Sequence, residues 1–232
     1  MNLGQDWIEG GGLRAIAVGD RERSEAVVVL LHGFSMRPAD LAPFAHSLRV
    51  PAWFLFPEGP LAAERGGRAW WTIDVAAREA SIAEGPRDFA ALDPDELPDA
   101  RERLEAFVGA LEGERRGRPV VLGGFSQGGM VALDTVLRGG LRVDAMALMS
   151  TSRVAFEEWQ TRLRSGRLEG VPCMVSHGRE DPDLAFTAGA TLAEELERAG
   201  AAVTWLPFDG GHELPLVVWR GLRRLVGGLI AP

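Results

Sequence analysis

The sequence predicts an α/β protein whose mainly parallel central sheet is covered by helices on both faces. Apolar, strand-like runs recur along the 232 residues with helical patterns between them, the alternation that builds parallel sheets. Those runs are almost continuously hydrophobic, as in Val27-Val28-Val29-Leu30-Leu31, which fits strands buried on both sides. With 46% hydrophobic and 25% charged residues, a chain of this length buries a core without covalent staples and reads as one domain over 1–232.

Strands are expected at 26–31, 52–56, 119–123, 143–149, 172–176 and 202–208, each a short apolar run. Helices are expected at 39–48, 98–114, 130–138, 186–199 and 216–229. In the second helix Leu104, Phe107, Val108 and Leu111 recur at three- and four-residue steps, with Arg101, Glu102, Glu105 and Glu112 on the other side. That spacing describes a surface helix packed on a sheet. Two stretches break the alternation. Residues 59–97 are long, rich in Ala, Gly and Pro, and carry Trp70-Trp71; connections of this length often serve as lids or pocket loops. Residues 151–170 insert a polar helical piece whose Arg153, Arg162, Arg164 and Arg167 read as a solvated face.

Composition excludes several classes of function. The net charge is −8 and no residue is lysine, which argues against nucleic acid and anionic membrane surfaces. Without lysine there is no Walker-type phosphate loop, and no G-x-G-x-x-G follows a strand, so nucleotide binding is not expected. Cys173 is the single cysteine; no intrachain disulfide can form, and its apolar strand context makes it a small hydrophobe. No uninterrupted apolar run approaches the roughly 18 residues that span a bilayer, and residues 1–12 lack a leader pattern. A cytoplasmic location is the expectation.

The chemistry centres on Gly124-Phe125-Ser126-Gln127-Gly128. Spacing alone is weak evidence, since nine serines and 29 glycines in this chain give about 0.14 chance matches to G-x-S-x-G. The context is stronger. A strand run precedes the serine and an amphipathic helix follows it, the setting of a nucleophile elbow, in which glycines let neighbouring backbone approach a strained turn.

A serine nucleophile needs a base, a carboxylate to orient the base, and donors for the oxyanion. Of four histidines, His46 lies in a helical pattern, His177 precedes an acidic turn, and His32 ends a strand where it shapes the following loop. His212 sits on a glycine-rich loop after the last strand and is chosen as base. In the turn Gly178-Arg179-Glu180-Asp181-Pro182-Asp183, Asp181 is the best acid, because Pro182 favours an extended or turn conformation there. Glu180 and Asp183 read as solvated. The order Ser126, Asp181, His212 is that of α/β-hydrolases. Oxyanion donors are expected from the backbone N–H groups of Gln127 and Phe34, with the Gln127 side chain solvated or structural.

Several further motifs then line up. Leu30-Leu31-His32-Gly33, Phe56-Pro57-Glu58-Gly59-Pro60, Arg68-Ala69-Trp70-Trp71, the elbow, the acid turn and Gly210-Gly211-His212-Glu213-Leu214-Pro215 together resemble the carboxylesterase and phospholipase branch of α/β-hydrolases that includes the acyl-protein thioesterases. The resemblance implies a cofactor-free, metal-free serine hydrolase acting on carboxylic esters or thioesters, with the triad on the residues already chosen. Two departures stand out: Ser35 occupies a position where the family usually has glycine, and Asp183-Leu184 stands where it usually has a Val-Pro pair.

An apolar acyl pocket is expected from Phe34, Leu214 and at least one of Trp70 and Trp71. Activity should rise with pH through the histidine range, about 6 to 7. The partner is a small ester or thioester, and a homodimer is left open. The competing classes are a non-catalytic binding module of the same fold and an acyltransferase or lactonase using the same triad.

Overall fold

The computed structural model describes residues 6–230; residues 1–5, part of the segment weighed above as a leader, and the last two positions of the 1–232 span lie outside them. The chain runs β1 (Asp6–Gly10), β2 (Leu13–Val18), β3 (Ala26–Leu31), α1 (Pro38–Leu48), β4 (Ala52–Pro57), β5 (Leu61–Ala62), β6 (Arg68–Ala69), α2 (Val75–Glu84), α3 (Leu97–Ala110) and α4 (Glu112–Arg115). It continues through β7 (Val120–Phe125), α5 (Gln127–Arg138), β8 (Ala145–Met149), α6 (Phe156–Leu163), β9 (Pro172–Gly178), α7 (Phe186–Arg198), β10 (Ala202–Phe208) and α8 (Leu216–Ile230).

Eight strands form one sheet in the order β1-β2-β4-β3-β7-β8-β9-β10, and β5 pairs with β6 in a separate small ribbon. From β4 to β10 every pairing is parallel, whereas β2 runs antiparallel to both β1 and β4. All six expected strands fall in the parallel part. The β1–β2 hairpin was not expected; it turns on Gly11 and Gly12, both with positive φ (57° and 75°), the conformation a two-residue hairpin turn requires.

The continuous hydrophobicity of the strands has a direct cause. On β3, Val27, Val29 and Leu31 pack with Leu104, Phe107 and Val131 under α3 and α5. Val28 and Leu30 face the opposite layer, with Leu41 of α1 and Val218 and Leu222 of α8. Neither face meets water, so no polar alternation survives.

The inserted segment departs from its sequence reading. Trp159 on α6 is buried, and its indole N–H donates to the buried Asp134 carboxylate at 2.8 Å, which also accepts from Arg101 at 2.8 Å. Arg153 is ion-paired with Asp88, and Arg167 donates to the carbonyls of Val136 and Gly139 at 2.9 and 2.7 Å. Only Arg162 and Arg164 of the four arginines are exposed. Their neighbours were drawn inward by acceptors that lie elsewhere in the chain.

Because β4 lies on one side of β3 and β7 on the other, the strand order reverses at β3, and an open crevice forms beyond the carboxyl ends of the strands there. Among the described residues no helix is long and apolar enough to cross a membrane.

Candidate active site

Ser126 occupies the single residue between β7 and α5, with φ 54° and ψ −120°. This backbone is strained for any residue with a Cβ, at a cost of order 1–3 kcal/mol. It persists because its surroundings fix it: the Ser126 N–H donates to Met149 O at 2.8 Å, and the flanking glycines allow strand and helix to close up. A Cβ on Gly124 would lie 2.5 Å from Gly128 C, and one on Gly128 would lie 2.5 Å from the carbonyl oxygens of Leu31 and His32.

The acid turn after β9 and the loop after β10 are laced together by backbone bonds, Arg179 N–H to Phe208 O and Glu180 N–H to Gly210 O, both 2.9 Å. A Cβ on Gly178 would meet Gly211 O at 2.2 Å, so this approach requires glycine. The lacing brings His212 Nδ1 to 2.6 Å from Asp181 Oδ2. Asp181 is buried, and its other oxygen accepts the N–H groups of Asp183 and Leu184 at 2.9 Å each. Burial on its own would raise the Asp181 carboxyl, but hydrogen bonds from His177 and His212, the His212 charge and the Leu184 N–H together hold it well below the usual carboxylate range. The carboxylate is therefore ionised, Nδ1 of His212 carries the proton, and Nε2 is the basic nitrogen. Phe125 packs on the imidazole with ring centroids 4.7 Å apart.

His177 Nε2 lies 3.0 Å from Leu184 O and 3.3 Å from Asp181 Oδ2, a local role at the acid turn as expected. His32 shapes its loop as expected. Gly59 N–H donates to its Nε2 at 2.9 Å, so the proton sits on Nδ1 and is donated to Gly33 O at 2.8 Å. Burial pushes the His32 imidazole down to about 4 and the Cys173 thiol up to about 12; both are neutral structural groups.

Phe34, Trp71, Ser126, Gln127, His212 and Leu214 line one cavity of about 430 Å³, within the size range of small-molecule sites. Ser126 and the imidazole share this cavity but are not hydrogen-bonded to each other among the described residues. The N–H groups of Phe34 and Gln127 have no acceptor among the described residues, as an oxyanion site requires.

Two expectations are overturned, at Trp70 and at Asp183. Trp70 does not line the cavity: it is fully buried, and its indole N–H donates to His32 O at 2.9 Å. The Gln127 side chain takes the structural one of its two expected roles: it accepts from Trp70 N–H and donates to Trp71 O, both at 2.9 Å. Asp183 is buried, not solvated, and is clamped by Arg78 of α2 and by Arg87. Those two arginines border the cavity and had no local signal in the sequence. The departure at Ser35 is also accounted for: its φ is 61°, the region that favours glycine, and its hydroxyl donates to Glu64 O at 3.0 Å.

The sheet topology and strand-end crevice define the α/β-hydrolase class. Residues 14–218 match the phospholipase/carboxylesterase family model, and the chain belongs to that family. A probable carboxylesterase SOBER1-like of Arabidopsis thaliana is 25% identical over 166 residues, 71% of this chain and 54% of that protein; the match thus spans about half of the relative's length. The fold is similar to that of esterase PE8, with TM-score 0.76, 22% identity and coverage of 94% of this chain and 99% of that one. It is also similar to acyl-protein thioesterase 2 of Zea mays, with TM-score 0.75, 17% identity and the same coverage.

Proposed function

We propose that the protein is a serine hydrolase of carboxylic esters or thioesters, working through an acyl-enzyme on Ser126. The observation that carries this reading is the 2.6 Å contact from His212 Nδ1 to Asp181 Oδ2 in a loop pair that borders the same cavity as the strained serine. Family membership and the esterase and thioesterase names among its relatives support it.

In this mechanism His212 Nε2 accepts the Ser126 hydroxyl proton as Oγ attacks the substrate carbonyl. The oxyanion is held by the N–H groups of Phe34 and Gln127 at the amino end of α5, where the helix leaves donors free. Asp181 keeps the imidazole in the reactive tautomer and stabilises its cationic form. Protonation of the leaving group by His212 releases the alcohol or thiol, and water, deprotonated by the same nitrogen, frees the acid.

Two measurements test the proposal together. Wild type should turn over 4-nitrophenyl butyrate and be labelled by a fluorophosphonate probe. Ser126→Ala should lose labelling and at least about ten-thousand-fold in kcat with the fold retained by circular dichroism. A silent wild type, or a fully active alanine variant, would overturn it.

A further inference from the structure

The cavity has two unlike ends. Toward α1 and α8 it is bounded by Met36, Leu41, Phe44 and Leu214, and toward α2 by Arg78 and Arg87 with Asp183 between them. Arg78 and Arg87 each bond one oxygen of the single Asp183 carboxylate, and no other carboxylate pairs with either among the described residues. Two guanidiniums on one carboxylate leave one positive charge over.

Other neighbouring acids do not pair with either arginine. Asp88 is paired with Arg153, Asp74 accepts the Ala77 N–H at 3.0 Å at the start of α2, and Asp40 and Glu213, the other carboxylates that border the cavity, keep their charge but form no ion pair with Arg78 or Arg87 among the described residues. Donors are also in surplus. Among the described residues Arg87 Nε and Trp71 Nε1 are both buried without a hydrogen-bond partner, and both residues line the cavity.

The wall is also rigid. Arg87 N–H donates to Asp183 O at 2.9 Å and Ala185 N–H donates to Arg87 O at 2.8 Å, so the segment bearing Arg87 is bridged to the acid turn. Guanidiniums held in place recognise planar oxyanions through paired N–H bonds.

We infer that Arg78 and Arg87 bind an oxyanion of the substrate, so that the ester or thioester carries a carboxylate-type group on one side of the scissile carbonyl and an apolar portion on the other. This rests on the hydrolase reading above and adds to it the class of substrate. An alternative role, pinning α2 to the acid turn and nothing more, would leave charge selectivity absent.

The test uses two pairs of esters that differ only as carboxylate against carboxamide. In the first, the group ends the acyl chain: mono-4-nitrophenyl adipate against 4-nitrophenyl adipamate. In the second it lies on the leaving group: 4-butanoyloxybenzoate against 4-butanoyloxybenzamide. With wild type the carboxylate member of at least one pair should have kcat/KM higher by about tenfold or more, and the responding pair shows which side of the carbonyl faces the arginines. Arg78→Gln and Arg87→Gln, each leaving one arginine on Asp183, should bring that ratio towards one. Equal kcat/KM within both pairs, with 4-nitrophenyl butyrate still hydrolysed, overturns the inference while the hydrolase reading stands. A ratio that survives both substitutions unchanged overturns it too. Silence on every ester and towards the fluorophosphonate defeats the hydrolase reading and this one with it.

Discussion

Acid should weaken this protein through His32 well before it protonates Asp181. His32 is neutral in the folded state because burial outweighs its single acceptor, Gly33 O, and holds the imidazole near 4. In the unfolded chain the same ring titrates near 6.5. Below about pH 6.5 the unfolded state therefore takes up a proton that the folded state refuses until about pH 4, and stability falls as pH falls. From pH 7.5 to pH 5 the loss from this residue is about 2 kcal/mol, approaching about 3.4 kcal/mol at pH 4 and below. Asp181, held below the ordinary carboxylate range, also contributes stability that acid removes, but only below about pH 4, outside the window. The assay is urea unfolding by tryptophan fluorescence at pH 7.5 and pH 5 on wild type and His32→Asn. The variant strands the Gly59 N–H and should be less stable at both pH values, yet it should lose about 2 kcal/mol less than wild type between them. All other titrating groups are common to both proteins. Parallel losses would refute the reasoning.

The Gln127 side chain serves two buried backbone groups, Trp70 N–H and Trp71 O, so Gln127→Ala should lower the melting temperature by at least about 4 °C, read by calorimetry. At Ser126, with φ 54° and ψ −120°, glycine relieves strain that alanine keeps. Ser126→Gly should therefore be more stable than Ser126→Ala by about 1 kcal/mol in urea titrations, after the entropy cost of glycine is taken off.

The parallel sheet was legible because its strands are buried on both faces, which leaves an unbroken apolar run that nothing but a covered strand explains. The β1–β2 hairpin was not, since β1 is largely exposed at an edge and its pattern, Asp6-Trp7-Ile8-Glu9-Gly10, carries no apolar face; the Gly11-Gly12 pair was the usable signal. The pairing of Asp181 with His212 was legible because the turns that deliver them need glycine and proline at fixed offsets, and backbone demands leave marks on sequence. The Trp70 reading failed for a different reason. Two adjacent tryptophans in extended backbone point opposite ways, and which one faces the cavity is set by Gln127 and His32, 57 and 38 residues distant. Asp183 was misread because a carboxylate after proline in a turn has no local reason to be buried. Its burial depends on Arg78 and Arg87, 105 and 96 residues away.

One turn thus carries two buried carboxylates with different partners. Asp181 faces an imidazole, and Asp183, two residues on, faces two guanidiniums. They are not independent, because Asp183 N–H donates to Asp181 Oδ1 at 2.9 Å, and the strand-like bridge from Arg87 runs along the same few residues. A change that released Asp183 from its arginines would let this backbone move and so loosen the carboxylate that orients His212. Charge at the pocket wall and the position of the Asp181 carboxylate are coupled through the backbone N–H groups of Asp183 and Leu184. A lone Asp183 without its arginines would be a buried, unpaired charge costing several kcal/mol. One arginine is enough to pair Asp183, so the second leaves its charge at the cavity wall.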